Sequence, residues 1–175
     1  NLPVTIVGSG PGLTYGSDGP THHAAQDVAI LRALPDIAIY NTTDHILTRA
    51  IVELTYEDAG PSFVRLEKGI LPEIYKESCS FSDGFDVPVS GVEPLIISSG
   101  AMTHTCQAVA KRLREEHGLK PRVLDLFRIK PVDRAKLTNA IAGARSIITV
   151  EDHSVVGGLG DLIGEIVLEG GLPAR

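Results

Sequence analysis

Cysteine is scarce in this chain: Cys79 and Cys106 are the only two in 175 residues. Their spacing fits neither a metal-ligand set nor a redox pair, which argues against disulfide frameworks, zinc sites and thiol–disulfide chemistry. Cys106 falls on the apolar face of an expected helix and reads as a reduced core residue. Basic side chains are also in deficit, 16 Lys and Arg against 22 Asp and Glu, a formal net charge of −6. Nucleic acid is therefore not expected as the main partner, because neutralising phosphates takes a basic excess. No apolar run reaches the ~18 residues a membrane span needs. No secretory signal pattern opens the chain, and no short internal repeat occurs. A cytoplasmic protein without a membrane role is expected. Hydrophobic residues are plentiful at 43%, so a buried core follows, and 175 residues suffice for one domain or two small ones.

The chain alternates short apolar runs with helical periodicity. Residues 3–7, Pro-Val-Thr-Ile-Val, predict a buried strand. A helix is expected from His22 to Leu34, with Ala24, Val28 and Leu31 on one face and Pro35 ending it. Residues 37–40 predict a strand. Asp44 then caps a helix whose Leu47, Ala50, Ile51 and Leu54 keep one face, and residues 62–66 predict a third strand. Residues 69–92, rich in Gly and Pro with little periodicity, read as a surface linker. A second unit, residues 93–175, has strands at 94–98, 122–126 and 146–150. Its helices carry Cys106, Val109, Ala110 and Leu113, then Leu137, Ala140, Ile141 and Ala144, then Leu159, Leu162, Ile163, Ile166 and Val167. Gly118 is placed to stop the first of them and Asp133 to cap the second. Near-continuous apolar strands separated by helices specify α/β architecture with two doubly wound, mainly parallel sheets.

The glycine-rich Gly8-Ser-Gly-Pro-Gly12 follows a strand and invites a dinucleotide-binding reading. That fingerprint needs a helix directly after the glycines, and here the helix waits until about Thr21. The chemistry concentrates instead between Gly16 and Asp27. Gly16, Gly19 and Pro20 force an irregular path, Thr21 is a candidate N-cap, and Asp18, His22 and His23 are held close together. Histidine exchanges protons near neutral pH, so Asp18 and His22 are candidate catalytic groups. The alternative is a turn stiffened by Asp18 with exposed histidines beside it. His153, in Glu151-Asp152-His153 after a strand's carboxyl end, lies where such sheets bind ligands. It can equally belong to a polar loop capping the last helix.

Several of these stretches resemble the transketolase family of thiamine diphosphate enzymes. They are Asp18-Gly19-Pro20-Thr21-His22 with its following helix, Gly60-Pro61-Ser62-Phe63-Val64-Arg65, and Ile129-Lys130-Pro131-Val132-Asp133. Glu151-Asp152-His153-Ser154 with Gly157-Gly158-Leu159-Gly160 completes the set. The resemblance implies that residues 1–68 are the later half of a pyrimidine-binding domain and residues 93–175 a truncated carboxyl-terminal domain. It implies transfer of a two-carbon ketol unit between sugar-like substrates, with thiamine diphosphate and magnesium in the complete enzyme. Asp18 and His22 match the substrate-facing pair, and Arg65 matches an arginine that binds substrate phosphate or distal hydroxyls. Bottom-up, Arg65 reads equally as a strand-end surface charge. The glutamate that activates the cofactor, and the aromatics packing on its ring, are expected upstream of Asn1, and no metal ligands are expected in the chain. A partnering diphosphate-binding half or subunit and a homodimer are implied, the 175 residues alone being inactive. Gly10 stands where relatives acting on sugar phosphates carry a second histidine, which leaves the phosphate clamp incomplete. Two other readings stay open: a non-catalytic assembly or regulatory module, and a relative of 2-oxo acid dehydrogenase beta subunits. Asp-Gly-Pro-Thr-His speaks against the latter.

Overall fold

Alternate residues along each strand point to opposite faces, and along Ala38–Asn41, Ser62–Leu66, Leu95–Ser98 and Arg122–Leu126 both faces are covered. A computed structural model describes residues 2–173; Asn1, Ala174 and Arg175, at the outer ends of the two expected domains, lie outside the described residues. The first sheet contains β1 (Thr5–Ser9), β2 (Ala38–Asn41), β3 (Ser62–Leu66) and β7 (Arg128–Lys130), in the order β1-β3-β2-β7. Its first three strands are parallel and β7 runs antiparallel to β2. The second sheet contains β4 (Phe85–Val89), β5 (Leu95–Ser98), β6 (Arg122–Leu126) and β8 (Ile147–Val150), in the order β4-β6-β5-β8 with only β4 antiparallel. The helices are α1 (Asp27–Arg32), α2 (His45–Glu57), α3 (Met102–His117), α4 (Arg134–Ile141) and α5 (Leu159–Glu169).

Ile39 and Phe63 of the first sheet share one buried cluster with Leu95, Ile97, Leu124 and Leu126 of the second, and with residues of α1, α4 and α5. The neighbouring strand residues Ala38, Tyr40 and Val64 turn the other way, onto Leu47 and Ile51 of α2. In the second sheet Ile96 and Val123 turn onto Cys106 and Ala110 of α3. The central core is thus common to both halves of the chain. Caps fall where the sequence places them: Asp44 accepts from the Leu47 amide at 2.8 Å and Asp133 from Lys136 at 3.0 Å. Gly118 ends α3 in the left-handed conformation that glycine adopts without strain, φ 65°.

Four expectations are corrected. The first helix begins at Asp27, not His22, because Gly12 and Ala24 bond each other's backbone as a β-bridge, which holds the chain extended up to that point. Thr21 therefore caps nothing. β1 is exposed rather than buried, since it is an edge strand with β3 as its one neighbour; Ile6 and Val7 are 51% and 57% accessible. Residues 85–89, expected inside the surface linker, form β4. Phe85, Val87 and Val89 alternate, and Pro88 is tolerable because an edge strand leaves one side of its backbone unpaired. Finally, β7 adds a strand to those expected: it is three residues long and starts one residue after β6 ends, too short for a periodic signal.

Candidate functional site

The carboxyl end of β1 leads into a closed loop. Its base is the Gly12–Ala24 bridge, with N–H···O distances of 3.2 and 2.9 Å. Between these ends the chain makes a 3-10 turn at Gly16–Asp18 and a second turn in which the His22 amide donates to the Gly19 carbonyl at 3.0 Å. Asp18 and His22 are both exposed on this loop. No hydrogen bond or ion pair joins them. His22 Nδ1 lies 3.0 Å from Thr21 Oγ1, an interaction that orients the imidazole whichever atom donates. Tyr15 stands beside it, ring centroids 6.0 Å apart, and Lys68 Nζ sits 4.1 Å over the Tyr15 ring. A cation over a π face is held electrostatically. Tyr15 and Lys68 thus join the two residues that the sequence singles out. Lys68 carries a sequence signal of its own, a cation two residues beyond a parallel strand's carboxyl end. His23 is half-buried, its Nε2 without a hydrogen-bond partner, and it lies on no helix.

Arg65 is not at this surface. Its side chain is 3% accessible, with Nε donating to Asp27 Oδ2 at 2.9 Å and Nη2 to the carbonyls of Ala24 (3.1 Å) and Asp152 (2.9 Å). The strand-end surface charge, one of the two readings left open for Arg65, is therefore corrected to a buried tie between the halves, because α1 and the β8 loop close over it. His153 is equally buried. A carbonyl only accepts, so the 2.8 Å contact with the Ser154 oxygen puts the proton on Nδ1, and Nε2 accepts from the Ala29 amide at 3.3 Å. Glu151 caps α5, taking the amides of Leu159 (2.7 Å) and Gly160 (3.0 Å). Asp152 reaches the other way, to the Leu13 amide at the base of the loop, at 3.1 and 3.2 Å.

The transketolase pyrimidine binding domain matches residues 1–73 and the transketolase C-terminal domain matches residues 85–175, more than half of the chain. The chain belongs to the transketolase family. It is 35% identical over 174 residues to an apulose-4-phosphate transketolase subunit of Phocaeicola vulgatus, covering 98% of this chain and 55% of the relative. It is 31% identical over 169 residues to human transketolase, covering 94% of this chain and 27% of that one. A solved structure described as "Split gene transketolase, inactive beta4 tetramer" superposes with a TM-score of 0.85 at 34% identity, covering 95% of this chain and 53% of that one. The chain thus spans little more than half of the Phocaeicola relative and about a quarter of human transketolase.

Transketolases use thiamine diphosphate with a divalent metal. The residues present do not fit the diphosphate end of that group. Among the described residues no cluster of three or more His, Cys, Asp or Glu side chains could hold a metal ion. A cavity of about 420 Å³ at the carboxyl ends of β2 and β3 is lined by Asp44, His45 and Glu67 among its ionisable residues, with no Lys or Arg to meet a diphosphate. Burial holds the Glu67 carboxyl above the usual range, against the pull of the Ala101 amide and of Arg65. A deeper polar network lies between the sheets, where Asp125 accepts from Thr43 (2.5 Å), Tyr75 (2.8 Å) and Thr103 (3.0 Å). Burial pushes its carboxyl up to about 7 despite those three donors. Its signal in the sequence is a carboxylate inside the apolar run Val-Leu-Asp-Leu, which the periodicity reading absorbs into a strand.

Proposed function

We propose that this chain is the pyrimidine-binding and carboxyl-terminal part of a transketolase-like transferase that moves a two-carbon ketol unit between sugar-like substrates. The observation that carries the reading is the closed loop at the end of β1, which exposes Asp18 and sets His22 beside Tyr15, whose ring lies under Lys68. The resemblance at Asp18-Gly19-Pro20-Thr21-His22 and the family membership support it. His22 polarises a substrate hydroxyl or takes its proton, and Asp18 accepts a hydrogen bond from a neighbouring hydroxyl. Arg65 holds the loop against the second half through Nε and Nη2. The metal and the diphosphate end of the cofactor are held by a partnering diphosphate-binding half or subunit; when bound, the cofactor supplies the electron sink for carbon–carbon cleavage. Free cysteines suit a cytoplasmic setting, and the assembled pair is proposed to dimerise.

Kinetics of the complete enzyme test the assignment. His22→Ala lowers kcat by ~10²–10⁴, the usual worth of a positioned acid–base group. Asp18→Ala raises KM first, because a hydrogen bond to a hydroxyl is already made in the ground state. His23→Ala, half-buried and off the exposed face of the loop, is the control. A severe His23→Ala with near-wild-type His22→Ala refutes the site. Near-wild-type turnover by Asp18→Ala and His22→Ala together returns the chain to the assembly-module reading.

A further inference from the structure

The loop that carries Asp18 and His22 belongs to the first half of the chain, yet its base is gripped from the second. Both oxygens of the Asp152 carboxylate face the Leu13 amide, at 3.1 and 3.2 Å. Gly12 beside it has φ +55°, and a Cβ at that position would collide with the same carboxylate. Only glycine allows the loop base and the Asp152 side chain to come this close. The Asp152 carbonyl is tied as well, by Arg65 Nη2, which also bonds the Ala24 carbonyl on the opposite side of the loop's base. Asp152, two residues after β8, therefore touches the outgoing limb of the loop with its side chain, while Arg65 links its main chain to the returning limb. Tyr15 follows Leu13 by two positions, packs over Gly10 and adjoins His22. The path from Asp152 to the imidazole is short and continuous.

We propose that Asp152 is a positioning residue: it clamps the base of the 12–24 loop and so sets the placement of His22 and Asp18 for reaction. The inference rests on the site reading above, and it gives the second half of the chain a part in turnover that does not involve touching substrate. Asp152→Ala leaves the Leu13 amide without its charged acceptor. Asp152→Asn keeps a carbonyl oxygen in the same place and restores the bond.

Hydrogen exchange and kinetics on the complete enzyme decide it. In Asp152→Ala, amides of residues 12–24 exchange about 10–100-fold faster, the worth of a hydrogen bond to a charged acceptor. β5 and β6 exchange as in wild type, and Asp152→Asn recovers most of the loop protection. Asp152→Ala lowers kcat about tenfold, and adding it to His22→Ala costs almost nothing further, because residues acting through one another are not additive. Unchanged loop exchange, or equal acceleration in β5 and β6, overturns the clamp. A full second loss of kcat in the double variant overturns positioning through His22. Faster loop exchange with near-wild-type turnover by His22→Ala supports the clamp and overturns the site reading instead.

Discussion

The two sheets are built to the same plan and finished differently. Each has three parallel strands and one antiparallel strand at an edge. In the second sheet the central β5 is wholly buried, and both edge strands, β4 and β8, are mostly half-buried. In the first, β7 closes one edge while β1 leaves the other open, with Val4, Ile6 and Val7 accessible, as are Val52 and Tyr56 of α2. The open edge is nevertheless where the candidate site begins, since the loop leaves from β1. The candidate site is thus tied to the second half of the chain, by Asp152 directly and by the Arg65 bond to the Asp152 carbonyl, while its own strand lies at an open edge.

The sharpest way to break that arrangement is Arg65→Ala. It leaves the half-buried Asp27 carboxylate, whose buried Oδ1 already lacks a hydrogen-bond partner, without its cation. Removing one partner of a buried pair costs about 3–5 kcal/mol, and chemical denaturation of the complete enzyme will read it. Arg65→Lys rescues little, because one ammonium cannot span Asp27 and two carbonyls. Next comes Ile97→Ala in the central strand of the closed sheet, fully buried in the shared core, where about 2–5 kcal/mol is lost.

A third prediction concerns pH. The ordinary value for Asp125 is 3.8 and burial raises it to about 7 in the fold. Below the lower value both folded and unfolded states hold the proton. Between the two the unfolded chain has released it while the native state retains it, so Asp125 makes stability fall as pH rises, and above about 7 the full penalty stands. Asp125→Asn should flatten that fall, as melting temperatures between the two values will show; an unchanged slope rules Asp125 out as its source. The smallest effect is Ile6→Ala on the open edge, within about 0.5 kcal/mol as for exposed positions generally. A loss as large as that of Ile97→Ala would mean that β1 is covered in the working protein.

Much of this architecture is legible in the sequence because the signals are local. Residues 62–66 and 122–126 read as strands and are strands, and Asp44, Asp133 and Gly118 cap or stop the helices assigned to them. The features that escape such a reading depend on distant residues. Nothing in Thr21–Gln26 announces that Ala24 will bridge to Gly12, so periodicity starts the helix too early. Arg65 has the same local surroundings whether it faces solvent or α1; only tertiary closure decides. In the site, Asp18 and His22 stand out by type and spacing. Tyr15 comes from the same loop and Lys68 from beyond the end of β3, while Asp152 reaches the loop through space alone, from 139 positions beyond Leu13.

The passage from β6 to β7 has a consequence for anyone who would cut this molecule apart. A single fully buried residue, Phe127, separates a strand of the second sheet from a strand of the first. A gene fragment that starts at residue 93 carries β7 away with it, leaving β2 with a bare flank and β7 with nothing to pair. Two such fragments would be complementary halves of a broken key, each needing the other to regain its shape, rather than two modules that can be shuffled between proteins.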